Sequence, residues 1–265
     1  MIWTNGPSGN DTPYQPGLFA NSVYMIQPGT TTTPSVFGGP AATTVATVSH
    51  PAALEPYGLY TNYVPVNTAT TTTGASGPNQ AFRPTKVGGG WYFRARLAFP
   101  TASTAGEQPS YGNSRIFVGL TANTLAAQVA SENPAGDWCG FLFQSGSGSS
   151  AVTGKYPTGS WLFTTKDNVT QTSASLNFTF ASGTMMDFII YMPPFPTTGS
   201  IYYRISRLDT GQYVEGEAAT ASWSLPRGGT VMKAGYQLAR AGFTGPASGV
   251  NNRGIIAKLM YLETD

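Results

Sequence analysis

The strongest constraint on this chain is a strict alternation of side chains between residues 90 and 99. Every second position is apolar, at Trp91, Phe93, Ala95, Leu97 and Phe99. The positions between them hold Tyr92, Arg94, Arg96 and Ala98. Successive side chains of a β-strand point to opposite faces, so a period of two predicts a strand with one buried face. We expect the side that carries Trp91 to face a core.

Seven more short apolar runs follow, and clusters of Gly, Pro, Asn and Ser separate nearly all of them. They span residues 115–120, 138–143, 160–165, 186–192, 200–206, 230–238 and 254–262. Residues 121–131 differ, because Leu125 and Val129 are four positions apart and Thr121 or Asn123 suits a helix start. The pattern predicts an all-β fold, an antiparallel β-sandwich of the jelly-roll type with one short helix.

The first 85 residues differ in texture from the rest. They are rich in Pro, Gly and Thr, and prolines repeatedly interrupt the short extended pieces at 23–26, 43–49 and 57–66. A proline cannot donate a backbone hydrogen bond, which confines such pieces to edge strands or extended linkers. We therefore divide the chain into an extended N-terminal arm with short strands, 1–85, and a jelly-roll β-sandwich domain, 86–265.

Charge is sparse in this chain. Asp, Glu, Lys and Arg make up 10% of the residues, against about 25% in a typical protein, and the net charge is +2. This balance disfavours a nucleic-acid-binding protein held by phosphate contacts. No segment approaches the ~20 apolar residues of a membrane span. The single cysteine, Cys139, excludes an internal disulfide and lies in an apolar run, where a buried thiol is expected.

The acidic residues offer little for catalysis. Glu215 and Glu217 would share one face of a strand, but Gly211 and Gly216 around them suggest a hairpin. The single histidine, His50, precedes a proline in a predicted bend, and no Gly-x-Ser-x-Gly motif presents a nucleophile. We predict that the protein is not an enzyme. The alternative is a polysaccharide hydrolase that uses Glu215 and Glu217.

Carbohydrate binding is the chemistry that the aromatic residues favour, since a sugar site combines aromatic faces with a few polar groups. Candidate glycan-binding residues are Trp138, Trp161, Trp223, Tyr111, Tyr156, Asp137 and Asp167. The other interpretation of the aromatic residues is core or interface packing. Oxygen ligands for Ca²⁺ often come from strand ends, where Asp137, Asp167, Asn168 and Asp209 also lie, but aspartate at a turn normally caps the local backbone. We predict no metal site and no cofactor.

Several short motifs, spread over about residues 44–265, resemble a module of virion proteins in tailed bacteriophages. They are VSHP at 48–51, YGLYTNY at 57–63, RIFVGLT at 115–121, NPAGD at 133–137, GFLF at 140–143, WLFTTKD at 161–167, AGYQL at 234–238 and YLETD at 261–265. The resemblance implies a concanavalin A-like jelly roll with two curved antiparallel sheets. It transfers no sugar site, because the metal-binding loop of plant lectins and the catalytic carboxylates of related glycosidases have no counterpart in this sequence.

The resemblance also implies a structural protein on the exterior of a phage virion. We expect a lectin-like tail-fibre or appendage component that recognises a glycan on the host surface. The alternative is a capsid decoration, or cement, protein that stabilises the head. Expected partners are other virion proteins, further copies of this chain with a trimer favoured, and the host glycan. Binding to nucleic acid and insertion into a membrane are not expected.

Overall fold

The structure, a computed structural model, describes the chain in separate segments. They comprise residues 22–27, 35–37, 61–63, 72–76, 90–99, 114–123, 135–144, 160–179, 183–193, 199–219, 221–226, 230–240 and 255–264. Most of the predicted helix at 121–131 lies outside these residues, as do His50, Tyr111 and Tyr156. In the described part of the chain, no helix is long and apolar enough to cross a membrane.

Within these segments, fourteen strands form two sheets. The larger sheet contains β1 (Ser22–Gln27), β2 (Ser35–Phe37), β3 (Thr61–Tyr63), β5 (Trp91–Ala98), β10 (Met185–Met192), β11 (Ser200–Arg207), β12 (Tyr213–Ala219) and β14 (Ile255–Thr264). The smaller sheet contains β4 (Thr72–Ser76), β6 (Ser114–Thr121), β7 (Asp137–Gln144), β8 (Ser160–Asp167), β9 (Gln171–Thr179) and β13 (Lys233–Arg240).

The strand order is β12-β11-β10-β5-β14-β1-β2 in the eight-stranded sheet, where β3 also pairs with β14. It is β4-β13-β6-β7-β8-β9 in the six-stranded sheet. All the described pairings are antiparallel. The predicted all-β antiparallel sandwich is thus confirmed. Short strands from the first 85 residues extend both sheets, and the domain boundary at residue 85 stays a prediction.

The core lies between the sheets and is rich in aromatic rings. The alternation in β5 places Trp91, Phe93 and Leu97 there, as predicted. Across the sandwich the rings of Phe163 and Tyr203 stack with centroids 3.9 Å apart. Gly216 of β12 pairs with Tyr203, and a Cβ at this position would overlap the tyrosine hydroxyl, so glycine makes room for that ring.

Cys139 also lies in this core, as its apolar sequence context predicted. Burial raises the pKa of its thiol well above the ordinary value. A protonated, enclosed thiol is a poor nucleophile and a poor metal ligand. Cys139 therefore contributes packing.

The outer face of the eight-stranded sheet carries a buried ion pair. The Arg94 side chain donates hydrogen bonds to both carboxylate oxygens of Asp187, with Nε 2.8 Å from Oδ1. Arg96 Nε lies 3.3 Å from Oδ2 of the same carboxylate. Burial by itself lowers the pKa of Arg94, but the charge of Asp187 and its hydrogen bonds outweigh that effect and raise it. The pairing therefore keeps this buried arginine charged.

Candidate functional site

A groove runs along one side of the sandwich, where the edge strands β9 and β12 of the two sheets meet. Its volume is about 620 Å³, which is in the usual range for small-molecule sites of roughly 300–1,000 Å³. One wall comes from β9 and the other from the hairpin that joins β11 to β12. The lining residues are Asn177, Phe178, Thr179, Arg207, Gly211, Gln212, Tyr213 and Val214.

The β9 wall is shaped by a bulge. Ser160 of β8 pairs with Thr179 and Leu162 pairs with Ser175, so β9 holds two extra residues over this stretch. Asn177 lies in the bulge with a φ of 49°, a left-handed conformation that asparagine tolerates better than most residues. Its neighbours Leu176 and Phe178 are both buried while Asn177 is exposed. The bulge therefore turns the Asn177 amide towards solvent at the groove.

The opposite wall is a tight turn with defined hydrogen bonds. The N–H of Gly211 donates to the carbonyl of Arg207 over 3.0 Å, and the N–H of Arg207 donates to the carbonyl of Gln212 over 2.8 Å. The hydroxyl of Thr210 accepts the N–H of Gln212 at 3.3 Å. Gly211 has a φ of 69°, which glycine adopts without steric cost. These bonds hold Gln212 and Tyr213 in place beside the groove.

An ion pair lies at this turn. Arg207 Nε is 3.1 Å from Asp209 Oδ1, and Arg207 Nη2 is 2.6 Å from Oδ2. The hydrogen bond from Arg207 holds the pKa of Asp209 below its ordinary value. Both side chains are partly exposed. The pair thus offers donors and acceptors to a ligand while adding no net charge to the groove.

Tyr213 lies at the edge of the groove, with its ring over Arg204 on the outer face of the eight-stranded sheet. Its side chain is 51% exposed, which is unusual for a large ring in the described part of this fold. The guanidinium carbon of Arg204 lies 4.1 Å from the ring centroid, a cation–π contact. Arg204 itself is only 2% exposed. The buried guanidinium of Arg204 therefore contacts one face of the Tyr213 ring, and the rest of the ring is accessible to solvent.

The structure corrects two of the predicted glycan contacts. Trp138 and Trp161 were predicted to contact a glycan, but both lie on strands with 0% of their surface exposed. Trp138 packs edge-on against Phe117 at 6.0 Å on the outer side of the six-stranded sheet. Trp161 lies in the core, 4.9 Å from Phe188. Neither ring can stack on a sugar, so for these two residues the packing interpretation holds.

Asp137 and Asp167 pair across β7 and β8 at the far end of β9 from the groove. Asp137 is fully buried and accepts a hydrogen bond from the Thr230 hydroxyl. Asp167 Oδ1 accepts the N–H groups of Val169 at 3.1 Å and Thr170 at 2.8 Å. The two Asp167 contacts are the backbone-capping role expected of a turn aspartate, whereas the Asp137 contact joins two side chains from distant parts of the chain. Among the described residues, no group of three or more His, Cys, Asp or Glu side chains is arranged to hold a metal ion.

Of the remaining predicted residues, the structure describes Trp223, which is not among the residues that line the groove. Trp223 is partly buried and packs on the core, with its ring 6.0 Å from that of Phe163. Tyr111 and Tyr156 lie outside the described residues. The groove residues Asn177, Arg207 and Tyr213 were not predicted. The available signal was Asp209 followed by Gly211, a turn that brings Tyr213 to the start of an edge strand.

Comparison with solved structures identifies the class of fold. The basic winged bean lectin, solved with Tn-antigen, matches with a TM-score of 0.56 and 10% identity over 92% of this chain and 98% of its own. The acidic winged bean lectin, complexed with methyl-α-D-galactose, matches with a TM-score of 0.52 and 11% identity over 84% of this chain and 92% of its own. Peanut lectin with a nine-residue peptide matches with a TM-score of 0.50 and 12% identity over 95% of this chain and 93% of its own. The chain therefore has the jelly-roll sandwich fold of the legume lectins.

Sequence comparison adds no closer relationship. No protein-family model matches this chain, and no curated protein matches it. At 10–12% identity the structural likeness concerns the fold alone.

Proposed function

We propose that this chain is a non-catalytic, lectin-like protein that binds carbohydrate in the β9–β12 groove. The observation that carries the proposal is the half-exposed ring of Tyr213, supported by Arg204 beside a groove with polar side chains on both walls. A sugar ring has apolar C–H faces and a rim of hydroxyls. An aromatic surface next to amide, guanidinium and carboxylate groups offers matching contacts to both.

The groove chemistry favours a neutral sugar. Arg207 and Asp209 offset each other, and Asn177, Thr179 and Gln212 are uncharged. Galactosides are the first probes to use, because the acidic winged bean lectin is complexed with methyl-α-D-galactose. A wider array of neutral and acidic glycans then covers other sugars.

The test is calorimetric titration of methyl-α-D-galactose and array hits into three proteins: wild type, Tyr213→Ala and Tyr213→Phe. The alanine variant loses the ring, so its affinity is expected to fall about tenfold. The phenylalanine variant keeps the ring and is expected to bind like wild type. Val169→Ala is the matched control, since Val169 is exposed on the distant β8–β9 turn. Equal affinity of Tyr213→Ala and wild type for every bound glycan would refute the site.

The absence of catalysis is part of the proposal. Glu215 and Glu217 project from the same exposed face of β12, two residues apart on one strand. Glycosidases place their two carboxyl groups on either side of the scissile bond, facing each other. Incubation with every bound oligosaccharide is expected to release no reducing ends. Product formed by wild type and lost in a Glu215→Gln, Glu217→Gln double variant that still binds the oligosaccharide would instead establish the hydrolase alternative.

The proposed setting is the exterior of a tailed-phage virion, in a tail fibre or other appendage built from several copies of the chain, with a trimer favoured. The support is the set of sequence motifs that resembles phage virion modules. Labelled protein located by electron cryo-microscopy on intact particles tests it. Density on projecting fibres with the sandwich distal supports host recognition. Density on junctions between capsid subunits supports decoration of the head instead.

A further inference from the structure

The outer face of the eight-stranded sheet carries a row of tyrosines that crosses four strands. Tyr202, Tyr191 and Tyr92 lie on neighbouring strands β11, β10 and β5 in direct cross-strand register. Adjacent ring centroids in this row are 6.4 Å apart, and Tyr261 of β14 continues it at 6.1 Å from Tyr92. The rings thus form one continuous aromatic strip.

Exposure divides this strip in two. Tyr92 and Tyr261 are buried, with exposed fractions of 3% and 7%. Tyr191 and Tyr202 are partly exposed, and Glu217, which pairs with Tyr202, is exposed. The half of the strip next to β12 is therefore accessible, and a carboxylate lies at its end.

This accessible half lies on the same sheet face as Tyr213. Along β12, the side chains at Tyr213, Glu215 and Glu217 share the outer face because they occupy alternate positions. Tyr213 and Glu217 are four residues apart, or about 13 Å along an extended strand. Glu215 is exposed between them and pairs with Arg204, the residue that supports the Tyr213 ring. A continuous polar and aromatic surface thus leads from the groove to the tyrosine pair.

We infer that the binding site is extended, with a second subsite for sugar on Tyr202 and Tyr191, so that the ligand is an oligosaccharide chain. This inference rests on the proposed function of the groove. One sugar unit occupies the groove beside Tyr213, and the chain continues across β12. Glu215 and Glu217 accept hydrogen bonds from its hydroxyls, and the two tyrosines contact the C–H faces of the distal units.

The occupant is a sugar chain because the patch continues the groove and shares its composition. A monosaccharide site would end at Tyr213. Instead, Glu217 lies about 13 Å along β12 from Tyr213 and pairs with the partly exposed Tyr202. An accessible ring beside a hydrogen-bonding side chain thus occurs a second time. The two locations are far enough apart to require several linked sugar units.

The test measures affinity against chain length. Galacto-, cello- and malto-oligosaccharides of one to six units are titrated into wild type, Tyr202→Ala, Tyr202→Phe and Tyr213→Ala. For a bound series, wild type is expected to gain roughly tenfold in affinity between the shortest and longest members. Tyr202→Ala is expected to lose that gain but to keep the affinity for the shortest. Tyr202→Phe is expected to keep both the gain with chain length and the affinity for the shortest sugar. Tyr213→Ala is expected to weaken binding at every chain length.

The outcomes separate the two proposals. Binding that does not strengthen with chain length, or a gain that survives in Tyr202→Ala, overturns the extended site and leaves the groove in place. The lack of binding by wild type at any length, and on the glycan array, overturns the proposed function and the extended site together. Thermal unfolding of each variant identifies misfolding. If Tyr202→Ala does not fold, Glu217→Gln supplies the same comparison, with a smaller expected loss of the gain.

Discussion

The guanidinium carbon of Arg204 lies 4.1 Å from the ring centroid of Tyr213, so a buried charge on the outer face of the eight-stranded sheet supports the ring at the edge of the groove. Arg204 is almost fully buried, whereas Tyr213 is half exposed. In the β11–β12 ladder Arg204 pairs with Glu215. The orientation of the ring thus depends on a charged side chain that no ligand in the groove needs to contact.

Removing the charge of Arg204 is expected to weaken sugar binding without removing the ring itself. Arg204→Met keeps much of the side-chain volume but loses the cation–π contact, which contributes about 1 kcal/mol at partly exposed sites. We expect roughly fivefold weaker binding of a groove ligand in calorimetry. Arg204→Lys retains a positive charge, so its affinity is expected to lie between those of wild type and Arg204→Met. Identical affinities in all three proteins would contradict a positioning role for Arg204.

Asp209 is expected to determine the charge preference of the groove. Asp209→Asn leaves the positive charge of Arg207 without its carboxylate partner. We expect weaker binding of neutral galactosides and stronger binding of oligosaccharides that contain uronic acids, the latter declining with added salt. Parallel titrations of both ligand classes at low and high ionic strength measure this. An unchanged ratio of the two affinities would contradict it.

The same ion pair predicts a pH dependence. The hydrogen bond from Arg207 holds the pKa of Asp209 below its ordinary value of 3.8. A carboxyl group with a lowered pKa in the folded state stays ionised above that pKa, and its contribution is lost as the pH falls through it. Binding of a neutral monosaccharide, which occupies the groove alone, is therefore expected to be constant from neutral pH down to about 3.8 and to weaken only below it. Titrations at stepwise lower pH, with Asp209→Asn as the control, test this.

Periodicity in the sequence predicted the inner part of the sandwich but not its groove. The strands β5, β6, β7 and β10 were predicted because apolar side chains recur along them and face the core. In contrast, β9 was missed, and β12 was expected only as part of a hairpin. Both are edge strands with many exposed positions, so their sequences lack the apolar signal. The groove lies between these two strands.

The predicted glycan residues show the same limitation. A tryptophan at the end of a predicted strand has two interpretations from sequence alone. It is either an exposed ring beside the loop or the first buried residue of the strand. Trp161 directly follows the first residue of β8, and Trp138 directly follows the first residue of β7. Their burial depends on the packing of both sheet faces, which short-range patterns do not contain. Tyr213 lies at a similar strand start but on an edge, where its ring stays exposed.

The buried pair of Arg94 and Asp187 is expected to be critical for stability. Asp187→Ala leaves Arg94 charged and enclosed, and breaking a buried pair in this way costs about 3–5 kcal/mol. Asp209→Ala is the matched control, because the Arg207 pair is partly exposed and its loss is expected to cost under ~1 kcal/mol. Urea denaturation of both variants gives the two unfolding free energies. Similar losses in both would contradict the proposed difference.

Two variants at Asn177 distinguish the role of its side chain from the role of the bulged backbone. Asn177→Ala and Asn177→Gly both remove the amide, but only glycine adopts a φ of 49° without cost. We expect Asn177→Ala to be less stable than Asn177→Gly by about 1 kcal/mol, measured by urea denaturation. If the amide contacts the ligand, both variants bind sugar more weakly than wild type and to a similar extent. If Asn177→Gly binds like wild type and Asn177→Ala does not, the groove depends on the shape of the bulge, and the ligand contacts belong to Tyr213 and the opposite wall.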